Sequence, residues 1–309
     1  MTPVVRHPRL VIAVPVYDEA RFLPETLRSI EWQTDGDFAV LISDNCSTDS
    51  TRNIAEAAAA RDPRITYVRQ PDNLGSCGNF NWAREASDSP CLLWLGGHDL
   101  LNPAFVAHHL ALLDGRPDVV VSQSWHSWID EEGQIAETIC DGDLDWGSPD
   151  SAERFLASVS ANRNNIAANS VIRRSALDGL SFGNFVGTDR VLLSELAYRG
   201  RFATTPDVLY MRRTFASRDN FGDYMKRLTG SGEARESWGE FARQFVAAFE
   251  ALVNRPLTVR EWVELEVRLR YHFPVERGSL ATEILWALRR AVKLLRLAMG
   301  RRDSGVIAQ

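Results

Sequence analysis

Short apolar runs alternate with helical patterns through the first 120 residues, and this alternation is the strongest constraint on the fold. The runs fall at 10–16, 38–42, 65–68, 91–95 and 119–122. The segments between them read as helices, over roughly 23–30, 51–61, 78–86 and 103–113. Strands separated by helices of that size predict a mostly parallel, Rossmann-like α/β sheet flanked by helices. Ligands of such sheets lie outside the carboxyl ends of the strands. The polar residues just after each run are therefore the ones to inspect.

The pattern changes after residue 122. Residues 125–130 and 134–139 read as a hairpin around Glu131-Glu132-Gly133, and a loop rich in Asp, Gly and Ser continues to Asp150. A strand is expected over 166–172, a helix over 190–198 and an extended run over 202–210. Beyond Phe215 the pattern is mostly helical. The expected division is a catalytic and nucleotide-binding domain over 1–215 and a helical C-terminal region over 216–309.

Charge and cysteine usage narrow the function. The net charge is −6 and the isoelectric point about 5.6, which excludes a general nucleic-acid binder. Residues 282–302 run against that trend, with six basic residues and one acid. In 284–299, Leu285, Leu288, Val292, Leu295 and Met299 share a face, opposite Arg289, Lys293 and Arg296. That helix reads either as an anionic-membrane surface element or as one packed on this chain or on a second copy in a homo-oligomer. The four cysteines form no C-x-x-C pair. With no secretory h-region and no run of 18 apolar residues, a cytoplasmic location is expected, peripheral on the inner membrane face if the tail binds lipid.

Polar residues cluster where the strand ends predict them. Pro15, Tyr17 and Glu19 follow the first run; Asp44, Ser47 and Asp49 the second; Asn73 and Gly75 the third; His98 and Asp99 the fourth. Asp189 opens the helix near 190. Taken alone, Asp44 and Asp49 also suit a turn and a helix cap, Asp99 a cap for the helix near Pro103, and Asp189 a first-turn acid. His98 reads equally as a polar neighbour or a ligand, and His108 and His109 as structural. Trp125, Trp128 and Trp146 suit packing, with sugar stacking as the rarer role.

These motifs, in this order and spacing, resemble family 2 glycosyltransferases of the GT-A fold over about residues 10–213. The resemblance implies an inverting transfer from a nucleotide-diphosphate sugar to a hydroxyl of a saccharide or lipid-linked acceptor. It implies nucleotide contacts from Pro15, Tyr17, Glu19, Asp44, Asn73, Gly75 and His98. It implies a divalent metal, Mn2+ or Mg2+, on Asp99, and Asp189 as catalytic base. Arg212 and Arg213 are looser candidates for the diphosphate or the acceptor. One departure stands out: Gly96-Gly97-His98-Asp99 retains one carboxylate, with His98 where an acid is expected. That depletion favours a non-catalytic nucleotide-sugar binder as the alternative. A nucleotidyltransferase is disfavoured, because the loop after the first run has no glycine.

Overall fold

The computed structural model describes residues 5–6, 9–139, 146–161, 166–185, 187–215 and 238–272. Its strands are β1 (Val5–Arg6), β2 (Leu10–Val16), β3 (Phe38–Asp44), β4 (Ile65–Arg69), β5 (Ser87–Asp88), β6 (Cys91–Trp94), β7 (Leu100–Leu101), β8 (Val119–Ile129), β9 (Ile135–Ile139), β10 (Val171–Arg173) and β11 (Arg201–Arg213). Its helices are α1 (Leu23–Glu31), α2 (Thr51–Arg61), α3 (Gly75–Glu85), α4 (Phe105–Gly115), α5 (Ser151–Ala161), α6 (Thr188–Arg199), α7 (Trp238–Val253) and α8 (Val259–His272).

The main sheet runs in the order β4-β3-β2-β6-β10-β8-β11-β7, with β9 paired to β8. Strands β4, β3, β2 and β6 are mutually parallel, as the alternating pattern requires. They are uniformly apolar because helices cover both faces of such a sheet. Every residue of β2 and β3 is buried. Pro15 sits in central β2 without disturbing it. Ala13 faces β6, its carbonyl accepting the Leu95 N–H, and Pro15 shares that direction. The β2–β6 pairing ends at Ala13 and Trp94, so the missing proline N–H falls beyond it.

The other half of the sheet is mixed. β10 runs antiparallel to β6 and β8, β7 is antiparallel to β11, and β8 runs parallel to β11. The predicted strand at 119–122 and the first hairpin arm merge into one continuous strand, β8. The predicted strand over 166–172 is mostly a 3-10 turn, Ile166–Asn169, followed by β10. Ala167, Ala168 and Asn169 are poor strand formers, and the Asn169 amide and the Ser170 hydroxyl bond to the Trp94 and Ile166 carbonyls instead.

Helix α3 begins at Gly75, earlier than its apolar pattern suggests, because side chains satisfy its first donors. Asn45 Oδ1 accepts the Leu74 N–H and Asn73 Oδ1 the Gly75 N–H, at 2.8 and 2.9 Å. One apolar core lies around the sheet. A second joins Phe155, Leu156 and Val159 of α5 and Val191 of α6 to Ala242, Phe245, Phe249, Leu265 and Leu269 of α7 and α8. Phe155 and Phe249 stack there at 4.4 Å. The C-terminal helices therefore share a core with elements from before residue 215. No helix among the described residues is long and apolar enough to cross a membrane. The basic segment at 284–302, Cys140 and the loop over 140–145 lie outside the described residues.

Candidate active site

The loops after β2, β3 and β4 are laced together by polar side chains. Asp18 and Cys46 occupy the left-handed region, with φ of 54° and 67°. An aspartate tolerates that conformation better than most residues, and Asp18 Oδ1 is anchored across to the loop after β3 by the Thr48 N–H at 2.6 Å. Cys46 Sγ accepts from the Arg69 guanidinium at 3.5 Å and donates toward the Pro71 carbonyl at 3.8 Å, and these contacts hold its left-handed backbone in place. Across the same loops, Ser47 Oγ accepts the Asp18 N–H, Thr51 Oγ1 the Glu19 N–H, and Asp49 the Ala20 and Thr51 N–H groups. Asn45 Nδ2 reaches Asn73 Oδ1 at 2.9 Å and the Gly75 carbonyl at 3.2 Å. Asn79, one helical turn into α3, bonds Ser43 through both ends of its amide. Expected residues Glu19, Asp44, Asn73 and Gly75 thus meet in one hydrogen-bonded wall. Tyr17 stands exposed on it.

Asp44 is fully buried, and both of its oxygens are engaged by the protein. Oδ1 accepts the Ser47 N–H at 2.8 Å; Oδ2 accepts the Tyr67 hydroxyl at 2.7 Å and the Arg69 guanidinium at 3.0 Å. Arg69 also donates to the Ser47 carbonyl at 2.9 Å. Burial, then the bond to Asp44, pushes the Tyr67 hydroxyl well up, which keeps it a donor. Tyr67 and Arg69 were missed in the sequence. The strand-end rule pointed at them, because Arg69 closes β4 beside Asp44 in register.

A second corner forms after β6. Asp99 is buried, at 3% exposure, with its carboxylate turned inward. Oδ2 accepts the Tyr210 hydroxyl at 2.6 Å and Oδ1 the Arg213 backbone N–H at 2.9 Å. Burial and the Asp99 charge hold the Tyr210 hydroxyl well above its ordinary value. The Arg213 guanidinium is committed to the His98, Asp130 and Glu131 carbonyls and to Glu25 at 2.7 Å. Its side chain has no exposed surface, so it positions this corner and does not present itself to a ligand. The Thr26 hydroxyl ties α1 to the Gly97 carbonyl at 2.9 Å.

His98 stands beside Asp99 and faces outward. Its Nδ1 pairs with Glu19 at 2.8 Å, its Nε2 lies 4.0 Å from Asp99 Oδ1, and its ring packs edge-on to Phe215 at 5.1 Å. Burial depresses the imidazole, but Asp99 and Glu19 outweigh it, so the net shift is upward. Arg212 lies over the Trp128 ring at 5.2 Å. Its charge is felt by His98, by Tyr210 and by Asp189.

Asp189 lies in the first turn of α6, after Gly187 at φ 78°. The loop before it is clamped by Asn81, which exchanges two 2.8 Å hydrogen bonds with Phe182. Phe182 packs against Trp94 at 5.1 Å and Phe80 at 5.5 Å. The helix dipole favours the ionised carboxyl, as does the Arg190 N–H at 2.9 Å. Burial outweighs both, and the carboxyl is pushed up from its ordinary value. This reverses the direction that a helix N-terminus alone predicts. The Asp189 charge also reaches Cys77 in α3, whose thiol burial pushes up to about 12.

The donor set after β6 does not suit a hard divalent metal. Magnesium and manganese prefer oxygen ligands with free lone pairs. Gly96 and Gly97 offer none, and Asp99 already serves Tyr210 and Arg213. Among the described residues, no group of three or more His, Cys, Asp and Glu side chains is arranged to hold a metal ion.

A parallel β-sheet that continues into a mixed half, with polar loops at one end, is the architecture of GT-A nucleotide-sugar enzymes. Solved structures share it. S. aureus TarS with UDP-GlcNAc superposes with a TM-score of 0.61 at 17% identity, covering 85% of this chain and 71% of that one. A mannosyltransferase from Pyrobaculum calidifontis, in complex with GDP-Man and Mn2+, gives a TM-score of 0.55 at 17% identity, covering 95% and 83%. The chain belongs to glycosyl transferase family 2, whose model matches residues 11–180, more than half of its length. Validoxylamine A glucosyltransferase of Streptomyces hygroscopicus subsp. jinggangensis is 38% identical over 109 residues, 34% of this chain and 25% of that protein. An uncharacterized glycosyltransferase of Methanocaldococcus jannaschii is 25% identical over 130 residues, 41% of this chain and 45% of that protein. The chain thus spans less than half the length of these two relatives.

Proposed function

We propose that this protein is an inverting glycosyltransferase that moves a sugar from a nucleotide-diphosphate sugar to an acceptor hydroxyl. The nucleotide lies against the wall that Asp44 braces, with Tyr17, Glu19, Asn73 and Gly75 beside it, and its diphosphate turns toward His98 and Arg212. Asp189 accepts the proton of the acceptor hydroxyl as that oxygen attacks the anomeric carbon. The bond from that carbon to the diphosphate oxygen breaks, and the nucleoside diphosphate leaves with its electron pair. A half-buried carboxylate with a raised pKa is a stronger base than a fully solvated one, which suits this role. The observation that carries the reading is the wall itself: at the carboxyl ends of the parallel strands, where such sheets take their ligands, Asp18, Asp44, Asn45 and Asn73 tie the loops after β2, β3 and β4 into one surface. The acceptor class we propose is a saccharide or a lipid-linked saccharide, with the basic segment at 284–302 as its route to a membrane surface.

The test is transfer and donor hydrolysis over a panel of nucleotide sugars, comparing wild type with Asp189→Asn. Equal turnover by both proteins rejects Asp189 as base. The absence of acids at Gly96, Gly97 and His98 favours one second reading, a nucleotide-sugar binder without turnover. Hydrolysis or transfer of any donor by the wild type retires it.

A further inference from the structure

We infer that the donor diphosphate meets side chains, His98 braced by Glu19 together with Arg212, and that donor binding needs no divalent metal. The inference rests on the proposed donor class and concerns which charges meet its diphosphate.

Four observations carry it. The first is steric. A Cβ at Gly96 would lie 2.8 Å from Asp99 Oδ2; one at Gly97 would lie 2.7 Å from Val16 Cγ1 and 3.1 Å from Glu19 Cγ. No acidic side chain fits at either position unless its neighbours move. The second is the direction of the carboxylate. The Asp99 side chain is 4% exposed and that of His98 30%, so the group presented outward at this corner is the imidazole.

The third is the brace. A carboxylate only accepts hydrogen bonds, so the 2.8 Å contact to Glu19 fixes the proton on His98 Nδ1 and aims Nε2 away from it. Glu19 occupies the space a side chain at Gly97 would need, so the glycine, the glutamate and the histidine form one fitted unit. The fourth is the nearby charge. On β11, Arg212 lies between Tyr210 and Arg213, both of which bond Asp99, and its guanidinium sits over the Trp128 ring at 5.2 Å. A guanidinium repels a dication there but attracts a diphosphate, and its planar fork matches phosphate oxygens.

The experiment is calorimetric titration of the full chain with uridine diphosphate and guanosine diphosphate, in EDTA and in Mn2+, with circular dichroism confirming each variant's fold. The wild type is expected to bind one of them with the same Kd in both buffers. Arg212→Met is expected to weaken that binding about tenfold in both. His98→Asp places three carboxylates together. It is expected to lose tenfold or more in affinity in EDTA, on the order of one lost charge contact, and to recover in Mn2+. Its melting temperature should rise on adding Mn2+ alone, while that of the wild type stays fixed. His98→Gln, which keeps a donor without charge, is expected to weaken binding in both buffers with no recovery. Wild-type binding that requires Mn2+ overturns the inference and leaves the donor class standing. A His98→Asp variant as indifferent to Mn2+ as the wild type also overturns it. If neither diphosphate binds in either buffer, the donor class fails and the inference falls with it.

Discussion

The corners around Asp44 and Asp99 look alike in sequence and differ in physics. Each is an acid at the carboxyl end of a parallel strand, buried, with a tyrosine hydroxyl on one oxygen and a backbone N–H on the other. Asp44 has a guanidinium as well, whereas Asp99 is hydrogen-bonded by two neutral donors, with the His98 imidazole no nearer than 4.0 Å. The first corner is a closed ion pair that stiffens a wall. The second spends its carboxylate on the Tyr210 hydroxyl and the Arg213 N–H and turns the His98 imidazole outward. A buried acid at a strand end is therefore not a ligand by position alone; its partners decide.

The comparison can be broken, starting with the largest effect. Asp189→Asn should lower transfer roughly 10²–10⁴-fold while donor affinity holds, since a positioned base contributes about that much. Burial raises the folded-state pKa of Asp189, so the unfolded chain binds fewer protons between the ordinary carboxylate value and the folded one. Stability accordingly falls as pH rises through that window, and the acid limb of kcat/KM lies above the ordinary carboxylate range. Asp189→Asn should raise the melting temperature at neutral pH, and a calorimetric scan reads this directly.

Asp44→Asn should cost about 3 kcal/mol in urea unfolding, because Arg69 loses a charged acceptor, and Asp99→Asn only about 1 kcal/mol. Equal costs would erase the distinction drawn above. Tyr210→Phe should cost about 1–2 kcal/mol, and Tyr67→Phe less, since Arg69 still satisfies the same Asp44 oxygen. Cys46→Gly should stabilise by about 1 kcal/mol by relieving the left-handed backbone at that loop.

Much of the parallel half of the sheet was legible because its signals are local. The apolar runs of β2, β3, β4 and β6 carry their own period, and strand ends mark Asp44, Asn73 and Asp99 without any tertiary knowledge. The strand expected at 166–172 misled because a short apolar run does not separate a strand from a buried turn. The expectation that Asp99 would hold a metal came from its place in a motif. Its actual partners, Tyr210 and Arg213, lie 111 and 114 residues away. Arg213 was a loose candidate for a ligand contact because it follows the run expected over 202–210, yet Glu25, 188 residues distant, and three carbonyls consume it.

By itself, the sequence determined the α/β alternation, the end of the sheet where chemistry gathers, and the loss of acids at Gly96, Gly97 and His98. These are properties of spacing and residue type, readable within a few turns of chain. Only the tertiary structure decided which carboxylates are spent and that His98, not Asp99, faces out. Hydrogen-bond partners are assigned by three-dimensional proximity, and burial sets the sign of the Asp189 shift against the local helix dipole.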